Sequence, residues 1–177
     1  IPELPAENQA VWDLIQLEEA HMLSQNFGEG SKVAVLDTGI DINHPIFKGR
    51  LAPQSEWRDF VDNDNDPSEV SGGKSYGHGT GVSGIILQVA PQATILPIRV
   101  LDKDGNGDTD DIILAVEHAI NMDVDVINLS LGSDIRVAAL SSMIRVAEQK
   151  GIYVTSASGN GGQRTRILFP AETISSH

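Results

Sequence analysis

Three polar residues occupy positions from which they could perform chemistry. Asp37 follows the apolar run 33–36, His78 lies in the glycine-rich stretch GHGTGVSG, and Asn160 lies in SASGN. A carboxylate after a buried strand can share a proton with a second carboxylate, can orient a histidine, or can simply end the strand in a turn. Histidine has the ordinary pKa best suited to proton transfer near neutral pH. The sequence therefore indicates acid–base chemistry if the fold brings these residues together.

Apolar runs alternate with helical patterns along the chain. The patterns predict strands at 33–36, 94–101, 124–131 and 152–157, and helices at 10–24, 81–89, after Asp108 and across 137–150. Asp108 is a suitable N-cap, and Gly151 is suited to close the last helix. This alternation predicts an α/β fold with a mostly parallel, twisted sheet and helices on both faces. Polar residues beyond the carboxyl ends of such strands gather at one edge of the sheet.

The composition excludes several classes of function. The chain has 177 residues, which suits one domain, and 12 Lys+Arg against 25 Asp+Glu give a net charge of −13. That charge argues against a nucleic-acid partner, which needs a basic surface. The lack of cysteine excludes thiol catalysis, disulfides and thiolate metal sites. No apolar stretch approaches the length of a membrane span, and the first residues lack the pattern of a signal peptide, so we expect a processed or trimmed start.

Five segments taken together resemble the subtilisin-like serine proteases, or subtilases. VAVLDTGIDINHP resembles the Asp segment of that family, GHGTGVSG its His segment and SASGN its oxyanion-Asn segment. VINLSLGS is similar to the strand that walls the S1 pocket, and VLDKDGNGDTDDI to the loop that receives extended substrate. The segments follow the family order from about residue 10 to the end. The resemblance implies a subtilisin-like fold and a serine endopeptidase acting on protein or peptide. It favours a secreted or cell-surface location and leaves a cytoplasmic one open.

The resemblance also implies a role for each matching residue. Asp37 would orient the imidazole of His78 and stabilise its cation, and His78 would act as general base and then general acid. The side-chain amide of Asn160 would donate to the oxyanion of the tetrahedral intermediate. The remaining matches would bind substrate: Ser130, Leu131 and Gly132 on one wall of the S1 pocket, Ala157, Ser158 and Gly159 on the other, and Gly105, Asn106 and Gly107 beside the substrate backbone.

The sequence departs from the family pattern at the nucleophile. The Gly-Thr-Ser segment expected beyond the oxyanion Asn does not occur in these 177 residues, and Ser83 fails the Gly-x-Ser-x-Gly pattern. Gly81 also stands where the family usually has a second His. We therefore expect residues 1–177 to be the N-terminal part of a single peptidase domain, incomplete at its C-terminal end and inactive alone. Its partners would be a Ser-bearing C-terminal segment and a pro-segment inhibitor, and its chemistry would require no cofactor.

Other interpretations of the same residues are weaker. An aspartic protease is all-β and needs a second Asp, whereas this chain has one Asp-Thr-Gly in an α/β pattern. A non-catalytic subtilase relative that acts as a binding or regulatory module is the main alternative, although such a protein has no need of Asp37, His78 and Asn160 together. GHGTGVSG also contains GxGxxG, but the polar stretch SGGKSYG precedes it where a dinucleotide-binding motif needs an apolar strand.

Acidic loops raise the question of calcium. Asp59, Asp62 and Asp64 crowd carboxylates into one short segment, which is consistent either with a structural calcium site or with a solvated acidic turn. DKDGNGD imitates the start of an EF-hand, but Ile113 occupies the position of the bidentate Glu, so we expect no calcium there. The remaining histidines lack a catalytic context: we expect His44 in a turn and His118 in solvent, and assign no role to His21 or His177.

Overall fold

A computed structural model of the protein describes residues 6–24, 26–160 and 167–174. Five strands form one sheet in the order β2-β3-β1-β4-β5, and every neighbouring pair is parallel. The strands are β1 (Lys32–Asp37), β2 (Arg58–Asp59), β3 (Thr94–Arg99), β4 (Val126–Leu129) and β5 (Tyr153–Ser156). This sheet confirms the predicted α/β class.

Five α-helices accompany the strands in the described part of the chain. They are α1 (Gln9–Leu14), α2 (Leu17–Leu23), α3 (His78–Val89), α4 (Thr109–Asn121) and α5 (Ala138–Gln149). Asp108 caps α4 as predicted, because its side chain accepts a hydrogen bond from the Asp110 amide at 2.8 Å. The helix predicted at 10–24 is divided in two, since Gln16 has the left-handed φ of 54°.

The alternation of side chains along β1 places a core on each face of the sheet. Ala34 and Leu36 are buried against α4 and α5, in a cluster that includes Val116 and Ile144. Val33 and Val35 point to the other face, where they share a cluster with Leu87 of α3. Burial on both faces is why this strand is apolar throughout. The central strand is thereby packed on both faces, and Asp37 at its carboxyl end is buried.

Several predicted boundaries and one side chain differ from expectation. The strands predicted at 94–101, 124–131 and 152–157 end earlier, because their last residues leave the sheet to form the loops of the site. His118 is not simply solvated: its Nε2 lies 2.7 Å from the Glu56 carbonyl and its ring meets Phe60 edge-on. His44 lies in a turn as predicted, and its Nδ1 accepts a hydrogen bond from the Ile46 amide. His177 lies outside the described residues.

His21 is buried, with Nε2 2.7 Å from the Val89 carbonyl. None of the described helices has both the length and the apolar character needed to cross a membrane.

Candidate active site

Asp37 and His78 meet at the carboxyl end of β1. Asp37 is the last residue of that strand, and His78 is the first residue of α3. The Oδ1 atom of Asp37 lies 2.7 Å from Nδ1 of His78, although the residues are 41 positions apart in sequence. A carboxylate can only accept a hydrogen bond, so Nδ1 carries the proton and Nε2 is left as the basic nitrogen. The predicted pairing of these two side chains is therefore present in the structure.

The surroundings of Asp37 oppose its ionisation. Burial raises the pKa of Asp37 above its ordinary value, and the hydrogen bonds from His78 and from the Thr38 amide offset only part of that effect. Within the described residues, Oδ2 is buried and has no hydrogen-bond partner. A carboxylate that has little contact with water interacts strongly with the one imidazole beside it.

Close backbone packing brings α3 to β1. Gly77 precedes the helix with φ of 88°, a left-handed conformation that allows the chain to turn sharply into His78. A Cβ atom built on Gly79 would lie 2.1 Å from the Gly39 carbonyl oxygen, so only glycine allows this approach. The Gly79 amide also donates to Thr38 Oγ1 at 3.0 Å. The glycine next to the histidine therefore permits the close approach that brings the two candidate catalytic side chains together.

The glycine at the position of the family's second histidine does not disturb this packing. Gly81 is exposed, and a Cβ added there would meet nothing within 4 Å. Gly79, Gly81 and Gly84 all lie within α3. The GxGxxG sequence therefore belongs to a helix that begins at the candidate base.

A pocket of about 340 Å³ adjoins His78. It is lined by two of the three predicted substrate segments, with Gly105 and Gly107 from one and Ser130, Leu131 and Gly132 from the other. Ala157, Ser158 and Gly159, predicted as the second wall of the S1 pocket, are not among its lining residues. Asn106 is exposed and is not among the lining residues. The other residues that line the pocket are mainly apolar, and they include Leu101, Ile112, Ile135, Val137, Leu140 and Phe169. The groove can therefore hold apolar side chains of an extended ligand beside the imidazole.

The loop that carries Gly105 is closed by one aspartate. The Asp102 carboxylate accepts hydrogen bonds from the amides of Asp104 and Asn106 and from the Asn106 side chain. These bonds, chiefly the one from the Asn106 backbone, hold the pKa of Asp102 below its ordinary value. The Asp102 carboxylate is therefore engaged within its own turn.

The segment at 168–169 spans the two predicted walls of the S1 pocket, a feature that the sequence patterns do not predict. The Leu168 amide donates to the Ser158 carbonyl, and Phe169 exchanges two backbone hydrogen bonds with Ser133. A Cβ atom built on Gly132 or on Gly159 would lie 2.8 or 2.9 Å from Leu168 Cδ1. The Leu168 side chain thus occupies the space beside both glycines. No motif marks it, because its position depends on pairing between distant segments.

Asn160 follows β5 by four residues and is exposed, as are Ala157 and Ser158. Its place after a strand of the same parallel sheet agrees with the expectation that it faces the same edge as Asp37. Its role as an oxyanion donor stays a prediction.

The acidic loop before α3 uses its carboxylates to bind an arginine. Arg99 Nη1 lies 2.6 Å from Asp59 Oδ2 and 2.5 Å from Asp62 Oδ2, and Asp64 Oδ1 accepts from the Asp66 amide. Nowhere in the described ranges do three or more His, Cys, Asp or Glu side chains form a group that could hold a metal ion. As arranged, Asp59, Asp62 and Asp64 do not fit a calcium ion, so calcium binding stays a prediction without structural support.

The described residues form a parallel α/β sheet, and at its edge a carboxylate binds an imidazole beside a groove. This combination of fold and site is typical of one class of protein. The profile of the subtilase family, peptidase S8, matches residues 28–176. The chain therefore belongs to the subtilase family.

Similar proteins include both extracellular and intracellular enzymes. The chain is 40% identical over 147 residues to the minor extracellular protease Vpr of Bacillus subtilis strain 168, covering 76% of this chain and 18% of the relative. It is 41% identical over 149 residues to an intracellular serine protease of Paenibacillus polymyxa, covering 78% and 44%. Because both kinds of relative match, family membership does not fix the location of this protein.

Solved structures agree with this assignment. A cold-adapted subtilisin-like serine proteinase matches with a TM-score of 0.69 and 35% identity, over 82% of this chain and 52% of the other. A lanthipeptide protease matches with a TM-score of 0.73 and 27% identity, over 88% and 49%. The chain spans about half the length of these proteins.

Proposed function

We propose that this chain is part of a serine endopeptidase of the subtilisin type, in which Asp37 and His78 are two members of the catalytic triad. The observation that carries the proposal is the 2.7 Å contact between Asp37 Oδ1 and His78 Nδ1. That contact lies at the carboxyl end of a parallel strand and beside a groove able to hold a peptide. Membership of the subtilase family supports the same activity.

In this proposal the imidazole moves the protons. Nε2 of His78 removes the proton from a serine hydroxyl, which then attacks the scissile carbonyl, and the imidazolium returns that proton to the leaving amine. Asp37 keeps the tautomer that leaves Nε2 basic, and it stabilises the cation while it exists. The side-chain amide of Asn160 donates to the oxyanion, a contact that contributes ~10²–10³ in turnover in subtilisin, the enzyme for which that magnitude was established.

The nucleophile is assigned to a segment outside these 177 residues. No Gly-Thr-Ser occurs in the sequence. Ser83, the one serine of α3, is buried and does not line the groove. The related proteins are longer than this chain, which leaves room for a Ser-bearing C-terminal segment. A pro-segment that occupies the groove as an inhibitor, and a protein or peptide substrate, complete the proposed set of partners.

A non-catalytic subtilase relative would have no need of the buried Asp37 carboxylate. Burial of this group has an energetic cost that a binding module could avoid with an uncharged residue. The structure therefore favours the enzyme over the module.

Peptide hydrolysis by the complete polypeptide tests the proposal. We expect the wild-type protein to hydrolyse an unstructured protein substrate, and we expect His78→Ala to abolish this activity. Asn160→Ala should lower kcat by ~10²–10³ with little change in KM, because the amide is used mainly in the transition state. His118→Ala is the matched control, since that histidine is bound to the Glu56 carbonyl and does not line the groove. Full activity of His78→Ala would refute the assignment.

A further inference from the structure

The carboxylate of Glu69 connects the two elements that carry the candidate dyad. Thr38 Oγ1 donates to Glu69 Oε1 at 2.7 Å, and the Gly77 amide donates to the same oxygen at 3.1 Å. Thr80 Oγ1 donates to Oε2 at 2.7 Å. One half-buried side chain therefore uses both of its oxygens to bind three groups.

These three groups lie immediately beside the catalytic positions. Thr38 follows Asp37 at the end of β1, while Gly77 and Thr80 lie on either side of His78 at the start of α3. Thr38 Oγ1, which donates to Glu69, also accepts from the Gly79 amide. The hydrogen bonds of Glu69 thus join the strand that holds the carboxylate to the helix that holds the imidazole.

The backbone of Glu69 is itself bound to the segment that follows β1. Its amide donates to the Ile40 carbonyl at 3.3 Å, and the Ile40 amide donates to the Pro67 carbonyl at 2.9 Å. The loop that carries the carboxylate is thereby paired with the residues that follow β1. The backbone position of Glu69 is therefore fixed by contacts other than those of its side chain.

We propose that Glu69 is a positioning residue for the dyad: its hydrogen bonds fix the approach of α3 to β1, and with it the contact between Asp37 and His78. This inference rests on the proposed function of that pair. A carboxylate suits the task because its two oxygens are acceptors only, and bonds to a charged acceptor are about twice as strong as neutral ones. Its negative charge is also favourable at the N-terminus of a helix.

Kinetics of the complete polypeptide test this role through two substitutions. Glu69→Ala removes all three hydrogen bonds, and we expect kcat per folded molecule to fall by about 10–10²-fold with KM within a factor of about two, because small displacements of reacting groups are costly. Glu69→Gln should recover most of kcat, since its carbonyl oxygen can accept from Thr38 and Gly77 while its amide donates to Thr80. Glu56→Ala is the matched control, as Glu56 is a half-buried glutamate paired with Lys32.

Proton NMR provides a readout that does not depend on hydrolysis. The proton between Asp37 and His78 should give a low-field resonance in the wild type and in Glu69→Gln, and this resonance should broaden or disappear in Glu69→Ala. Retention of both kcat and the resonance in Glu69→Ala would overturn the inference, as would equal impairment of the Gln and Ala variants. If the wild type hydrolyses no peptide, the proposed function fails, while the resonance still decides the role of Glu69.

Discussion

Asp37 and His78 differ sharply in their contact with solvent although they share a hydrogen bond. The side chain of Asp37 is 1% exposed, whereas that of His78 is 47% exposed. The carboxylate therefore acts on the imidazole from within the fold, while the other side of the ring remains accessible to a reacting group. A residue that orients the imidazole needs to be held within the fold, whereas a residue that transfers protons needs access to the reacting group.

The buried carboxylate should cost stability at neutral pH. Burial raises the pKa of Asp37, so the folded protein binds that proton more tightly than the unfolded chain does. The stabilisation from this group is complete below the unfolded pKa and is lost as the pH rises through the folded pKa. Asp37→Asn should therefore raise Tm at pH 7, with the gain over wild type shrinking as the pH falls toward about 4. Activity should fall by about four orders of magnitude.

Thermal unfolding of the wild type and Asp37→Asn at several pH values checks this prediction. Asp41→Asn is a suitable control, because Asp41 is exposed. A lower Tm for Asp37→Asn at pH 7 would mean that the hydrogen bonds of the carboxylate outweigh its burial.

Substitution by alanine should destabilise the protein at one glycine of α3 and stabilise it at two others. Gly79→Ala places a Cβ 2.1 Å from the Gly39 carbonyl, so we expect a loss of about 1–3 kcal/mol and a lower kcat as α3 moves away from Asp37. Gly81→Ala and Gly84→Ala meet nothing within 4 Å and should gain up to about 1 kcal/mol from helix propensity. Chemical denaturation of the three variants measures the difference. Similar effects at all three positions would contradict the proposed contact between helix and strand.

Loss of Arg99 should destabilise the fold more than loss of the charge on Asp62, its exposed partner. Arg99→Ala leaves the carboxylate of Asp59 buried without its counter-ion, which should cost about 3–5 kcal/mol. Asp62 is 60% exposed, so Asp62→Asn should cost less than about 1 kcal/mol. Urea unfolding of both variants tests the contrast. If instead calcium links these carboxylates, added EDTA should destabilise the wild type and Asp62→Asn should remove that effect.

Leu168 should limit the size of the residue that enters the S1 pocket. Its side chain occupies the space beside Gly132 and Gly159, one from each predicted wall. Leu168→Ala should raise kcat/KM for substrates with a large P1 residue relative to those with a small one, by about 10-fold or more. Ile167→Ala is the matched control, because that neighbour is exposed. Unchanged P1 preference in Leu168→Ala would place the specificity pocket elsewhere.

The chemistry of the site was more readily predicted from the sequence than its supporting contacts. Asp37 and His78 lie in local motifs at element boundaries, and the topology of a parallel sheet dictates that such boundaries meet. Glu69 and Leu168 lie in loops without periodicity, and their roles depend on hydrogen bonds between segments distant in sequence. The contact of His118 could not be predicted for the same reason, since its partner Glu56 lies 62 positions earlier. The sequence predicts strands longer than those observed, because apolar residues continue from the strands into the loops.

Labelling by a serine-directed phosphonate probe tests the central claim most directly. The probe bonds covalently to a serine only where a neighbouring base activates it. We predict that the complete polypeptide is labelled on a serine outside residues 1–177, and that His78→Ala abolishes labelling while Gly81→Ala does not. Labelling of a serine within residues 1–177, or undiminished labelling of His78→Ala, would contradict the assignment of Asp37 and His78 to a triad completed by a separate segment.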